Sequence, residues 1–151
     1  MKKAIGLALV VAAMIVPAAL AAPPAQSPAT FCKANPGLIG AGKLYKNAGA
    51  CVTAQAAKAA TNATNASKTC DAERTSMGAD PFAAKYSSTG NKKNAFGKCV
   101  SAAANAKTAE QQSALVNAAK KCRTTENTAK IGAGKTWRNF GACVKAQSAS
   151  A

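Results

Sequence analysis

The chain has 151 residues, with 20 Lys and Arg against five Asp and Glu, a formal net charge of +15 and no His. The lack of His excludes Ser-His-Asp and Cys-His catalysis and His-ligated metals, and five carboxylates leave few acid–base pairs. Forty residues are Ala, and past residue 21 Leu, Ile, Val and Phe number only 13, which excludes a large hydrophobic core.

Residues 1–21 read as a signal peptide. Lys2 and Lys3 precede an apolar stretch over 4–16, Pro17 breaks it, and Ala19-Leu20-Ala21 places small residues where a signal peptidase reads, so cleavage is expected near Ala21. The apolar stretch is too short to span the ~30 Å of hydrocarbon in a bilayer. The expected location is therefore secreted, extracellular or in the cell envelope, and not integral to a membrane after cleavage. Residues 22–31 are expected to be a flexible N-terminal segment. Residues 32–151 are expected to form a single all-α domain of three Cys-containing repeats, at 32–69, 70–121 and 122–151.

The repeats are explicit in the sequence. Residues 39–55 read IGAGKLYKNAGACVTAQ and residues 131–147 read IGAGKTWRNFGACVKAQ, identical at 12 of 17 positions. Residues 93–100, KNAFGKCV, repeat the Asn, Gly, Cys and Val with one extra residue. Each copy has a second cysteine upstream, at Cys32, Cys70 and Cys122. Self-similarity of this kind marks supersecondary units that bury surface against one another.

Ala, Lys and Gln favour helix, and neither Gly nor Pro interrupts the stretch between Cys51 and Cys70 or that between Cys99 and Cys122. Asn47, Asn94 and Asn139 stand where N-caps belong. Long helices are predicted at about 48–69 and 95–121, and a shorter one at about 140–149, each with a few residues of error at its ends. Asp80-Pro81 predicts an N-cap and first helical residue for a short helix through Tyr86, followed by a loop over 87–91. The fold class is all-α, with three disulfide-tied helical units forming a small array or bundle.

Six cysteines in a small exported chain read as a disulfide framework, and none lies in a C-x-x-C pair. Of the 15 possible connectivities, continuous helices exclude those joining Cys51 to Cys70 or Cys99 to Cys122, which would be ~28 and ~34 Å apart. Ten remain. The repeat favours Cys32–Cys51, Cys70–Cys99 and Cys122–Cys143, and antiparallel packing of successive helices brings the last two pairs together. Each bridge closes a loop worth ~3 kcal/mol in the chain-entropy model.

Other candidate sites weigh less. Gly42-Lys43 and Gly134-Lys135-Thr136 resemble part of a phosphate loop, but Leu44 and Ala129 break the pattern in the respective copies, so a Gly turn is expected. Asp71, Glu73 and Asp80 lack calcium-loop spacing and are expected as helix-start charges and an N-cap. Glu110 and Glu126 are expected to be single solvated charges. Asn62-Ala63-Thr64 and Asn65-Ala66-Ser67 match the glycosylation pattern and are expected on a helix surface. No catalytic residue, metal ligand or cofactor is expected.

The aromatics Tyr45, Tyr86, Phe96, Trp137 and Phe140 are expected to pack in the core. Past residue 21, eighteen Lys and Arg face five acids, spread along the chain. Such charge favours polyanions through counterion release, without sequence-specific nucleic-acid readout. Tyr45, Lys46, Lys92, Lys93, Trp137 and Arg138 are the candidate polyanion-binding residues, as cations beside aromatic platforms. The partners would be anionic wall polymers, an anionic membrane surface or released nucleic acid.

The segments Asp80-Pro81-Phe82-Ala83-Ala84-Lys85-Tyr86 and Asn91-Lys92-Lys93-Asn94-Ala95-Phe96-Gly97-Lys98-Cys99-Val100-Ser101 resemble a stretch found in uncharacterised secreted proteins of actinobacteria. The resemblance implies a bacterial, exported setting and no particular activity.

The expected function is a secreted, disulfide-stapled, non-enzymatic binding or structural protein of the cell exterior or envelope. The alternative is a cationic polyanion-binding protein, and the third reading is a small secreted hydrolase without His. An antimicrobial helix would need large apolar residues along one face, where these helices carry Ala.

Overall fold

A computed structural model describes residues 24–87 and 92–150, the Lys92 side chain excepted. The signal-peptide reading falls outside the described residues, as does all but the first residue of the expected 87–91 loop. Among the described residues six α-helices follow one another: α1 (Pro28–Ala34), α2 (Ala48–Met77), α3 (Ala79–Tyr86), α4 (Ala95–Cys122), α5 (Thr125–Thr128) and α6 (Phe140–Ala149). Short 3-10 turns at Pro36–Leu38 and Lys92–Asn94 precede the first long loop and α4.

The frame is an antiparallel hairpin of α2 and α4. Cys70, late in α2, is bonded to Cys99, early in α4, and Asn62 of α2 meets Thr108 of α4 midway. At one end α3 packs across the hairpin, and Phe82, Ala83, Ala95, Cys70 and Cys99 form a small core. At the other end α1, α6 and the two long loops gather Phe31, Leu38, Tyr45, Leu115 and Val144 around the Cys32–Cys51 and Cys122–Cys143 bonds. Cys51 and Cys70 lie 19 residues apart on one helix, which puts ~28 Å between the two cores.

Between the cores the seam buries Ala66 and Ala109, whose small side chains bury little area but allow close helix approach. Polar pairs occupy its centre. The buried Asn62 amide donates to Thr108 Oγ1 at 3.0 Å and to Gln111 Oε1 at 3.0 Å. This corrects the expectation that Asn62 lies on a helix surface, whereas Asn65 is exposed. Buried amides are tolerated when their partners are supplied, and here Thr108 and Gln111 supply them.

The expected helix ends need three further corrections. Segment 22–31 is not a flexible lead-in throughout. Pro28 opens α1, the Ser27 side chain caps it by accepting from the Thr30 amide, and Phe31 is buried. Upstream, Gln26 and the Gln112 side chain exchange two hydrogen bonds of 2.9 Å, which tie the segment to α4. Helix α2 runs to Met77, well past the expected 69, and ends at Gly78, whose φ of +87° suits a residue without a Cβ. That glycine also stands at the cap position of α3, so Asp80 lies in the first turn instead of capping it.

Candidate functional site

The two near-identical repeats fold into the same loop. Ile39 pairs with Tyr45, and Ile131 with Trp137, as isolated β-bridges. In the first copy the Gly40 amide donates to the Tyr45 carbonyl at 2.8 Å and the Tyr45 amide to Leu38 at 2.9 Å. In the other, Gly132 donates to Trp137 at 2.8 Å and Trp137 to Lys130 at 3.0 Å. The tight reversal requires positive φ at Gly40 and Gly42 (+129° and +70°) and at Gly132 and Gly134 (+143° and +69°). Asn47 and Asn139 then cap α2 and α6, each accepting from the amide three residues on at 2.8 Å. This accounts for the phosphate-loop-like glycines as turn residues.

The middle copy is different. It lacks the Ile-Gly-Ala-Gly segment, and Asn94 makes no side-chain cap bond. A 3-10 turn leads into α4 there, and α3 stands beside it in place of a loop.

The structure does not gather the six candidate polyanion residues into one place. Tyr45 and Trp137 join the core at the loop end, with Lys46 and Arg138 exposed beside them. Lys93 stands at the α3 end, just ahead of Ala95 in the other core, as does the Lys92 backbone. The two sets are separated by the length of the hairpin. The reason is topological: the first and third copies meet because the chain doubles back, and the second copy marks the far turn.

Doubling back also sorts the charge. Residues 24–51 and 120–150, which build the loop end, hold ten Lys and Arg and a single acid, Glu126. Residues 52–119 hold eight and four. Spacing along the sequence hides this asymmetry. At the α3 end acids partner cations: Asp71 pairs with Arg74 at 2.7 Å, and Glu73 takes Lys85 at 2.5 Å and the Tyr86 hydroxyl at 2.8 Å. Asp71 and Glu73 thus sit late in α2 as ion-pair partners, not as helix-start charges. Hydrogen bonds from Lys85 and then Tyr86 hold the Glu73 carboxyl below its ordinary pKa, and the hydrogen bond to Glu73 is the main cause that raises that of Lys85. Glu110 and Glu126, expected to be single charges, pair with Lys107 at 2.7 Å and Lys130 at 2.6 Å. These exposed pairs contribute little stability.

At the loop end cations face rings. Lys43 Nζ lies 4.6 Å and the Arg123 guanidinium carbon 5.6 Å from the centre of the Phe140 ring. The Tyr45 hydroxyl points inward and accepts from the Gln55 amide at 2.8 Å, both residues being buried. Burial raises the Tyr45 pKa, and the Gln55 hydrogen bond opposes that shift. Phe140, Lys43 and Arg123 were not singled out together from the sequence. The matched repeat positions identified Phe140, but the neighbours that the chain reversal gives it carry no sequence signal.

Among the described residues no group of acidic or cysteine side chains is arranged to hold a metal ion, and no helix is long and apolar enough to cross a membrane. All six cysteines are bonded, a state that fits an oxidising compartment. The fold defines a disulfide-stapled, all-α helical hairpin. Comparison with known proteins finds no matching family model, curated protein or solved structure.

Proposed function

We propose that the protein is an exported, non-enzymatic binding protein of the cell exterior or envelope that associates with extracellular polyanions through its loop end. The observation that carries this reading is the charge sorting: ten cations against one acid at the loop end, eight against four elsewhere. A cationic surface of this kind attracts polyanions by releasing their condensed counterions. The three disulfides support a location outside the reducing cytoplasm. The basic signal-peptide pattern and the resemblance to secreted actinobacterial proteins support the same setting.

The test is a salt titration of binding by the oxidised protein to wall polymer, DNA and anionic liposomes, from about 50 to about 500 mM salt. Binding at low salt that falls linearly in log–log form supports the reading. No binding to any of the three at low salt overturns it and leaves a structural or protein-partner role.

A further inference from the structure

The inference rests on the polyanion reading and assigns its site. Three segments distant in sequence meet at the loop end: Lys43 from the first loop, Arg123 just past α4, and Phe140 at the start of α6. Their arrangement is fixed by backbone. The Gly141 amide donates to the Gly42 carbonyl at 2.9 Å, so the start of α6 is seated on the tip of the first loop. The Arg123 guanidinium lies against Gly37, where a Cβ would collide with it. An aromatic ring, not a carboxylate, faces both cationic heads, while the acid of this end, Glu126, is engaged by Lys130. The two heads therefore remain available to an incoming oxyanion, as an Arg fork and a Lys point charge.

The two loops differ in their aromatic residue. Tyr45 is buried and held inward by Gln55. At the same position of the third copy stands the larger Trp137, partly exposed, with exposed Lys135 and Arg138 on either side. A partly exposed indole flanked by cations suits a ligand that alternates anionic groups with flat or ring-shaped units. Among the described residues the most exposed large apolar side chain, Met77, lies at the far end of α2, away from this junction.

We infer that the junction of the two loops binds a single-stranded phosphodiester polymer whose units carry a base or sugar, with Lys43 and Arg123 on phosphates and Trp137 stacked on the rings. The ligand chemistry is shared by single-stranded nucleic acid and by sugar-bearing wall polymers of the polyol-phosphate kind.

Trp137 is the sole tryptophan of the chain, so its fluorescence reports on this site. The experiment titrates the oxidised protein with oligothymidylate, with sugar-substituted poly(glycerol phosphate) and with polyglutamate. Quenching or a shift of Trp137 emission by either phosphodiester polymer, and not by polyglutamate at matched salt, supports the site and identifies its source. The K43Q/R123Q double variant is expected to bind about tenfold or more weaker, since two charge-assisted contacts are lost. A K58Q/K68Q control, with the same change in net charge, is expected to retain binding. Polymer binding with unchanged Trp137 emission, or with equal losses in the two double variants, overturns this site while the polyanion reading stands. If no polymer binds at low salt, both fail together.

Discussion

The amide of Gly141 donates to the carbonyl of Gly42 at 2.9 Å, and this bond joins the third repeat to the first. Gly49, Gly97 and Gly141 hold the same position in the three copies, but their surroundings differ. A Cβ on Gly141 would overlap the Lys43 carbonyl, a Cβ on Gly97 would meet nothing, and one on Gly49 would make only ordinary contact with Asn47. G141A is therefore expected to destabilise by about 1–3 kcal/mol through overpacking. G49A and G97A, both in helical backbone, are expected to stabilise by about 0.4–1 kcal/mol by reducing unfolded-state freedom. Thermal melts of the three variants check the difference in sign.

The disulfides join thin cores, and each closes a loop worth about 3 kcal/mol. Full reduction is expected to remove the cooperative melt followed by near-UV circular dichroism. Replacing only Cys70 and Cys99 by Ser is expected to lower stability but leave a cooperative transition at Trp137, since the loop end retains two bridges. A melt nearly unchanged by full reduction would refute the stapled account.

Asn62 makes the polar contact between α2 and α4 midway along the Ala seam. N62A removes three hydrogen bonds and leaves Thr108 and Gln111 without that partner, and is expected to cost about 1–3 kcal/mol. N65A, one turn on and exposed, is expected to change stability by no more than about 0.5 kcal/mol. Urea midpoints of the two variants measure this contrast.

Glu73 ties α2 to Lys85 and Tyr86 of α3, and those contacts hold its folded-state pKa below the unfolded value. The linked stability is present above the unfolded carboxylate pKa and is lost as pH falls through the depressed folded one. Acidification into that range is expected to lower the amide protection factors of α3, corrected for the intrinsic exchange rate, before those of α6. E73Q is expected to remove this pH dependence. Hydrogen exchange followed along a pH series separates the two.

The helices were legible because their signals are local. The Gly- and Pro-free run between Cys99 and Cys122 gave 95–121 closely, and Asn139 standing at a cap gave the start of 140–149. Helix length held Cys51 and Cys70 too far apart to bond, the repeat favoured the pairing that the structure has, and antiparallel packing of successive helices agreed with it. Helix α1 had a readable start in Ser27-Pro28, a capping side chain before a first-turn Pro, but its lack of apolar period made the segment look like a tail. Asn62 was not legible. Its burial depends on Thr108 and Gln111, 46 and 49 residues away, and a polar residue in an Ala-rich helix looks solvated. The charged end was hidden for the same reason: Lys43, Arg123 and Phe140 are neighbours only because the chain returns on itself.

The claim that the loop end carries the binding is tested most directly by two matched double variants, K46Q/K135Q at that end and K58Q/K68Q on α2. All four lysines are exposed, and each pair lowers the net charge equally. Binding to a phosphodiester polymer is measured across a salt series. The account predicts that K46Q/K135Q binds more weakly and that its slope of log affinity against log salt is shallower by about 1.4, while K58Q/K68Q stays near the wild type. Equal weakening by both pairs would mean that attraction follows total charge alone, and would contradict the account.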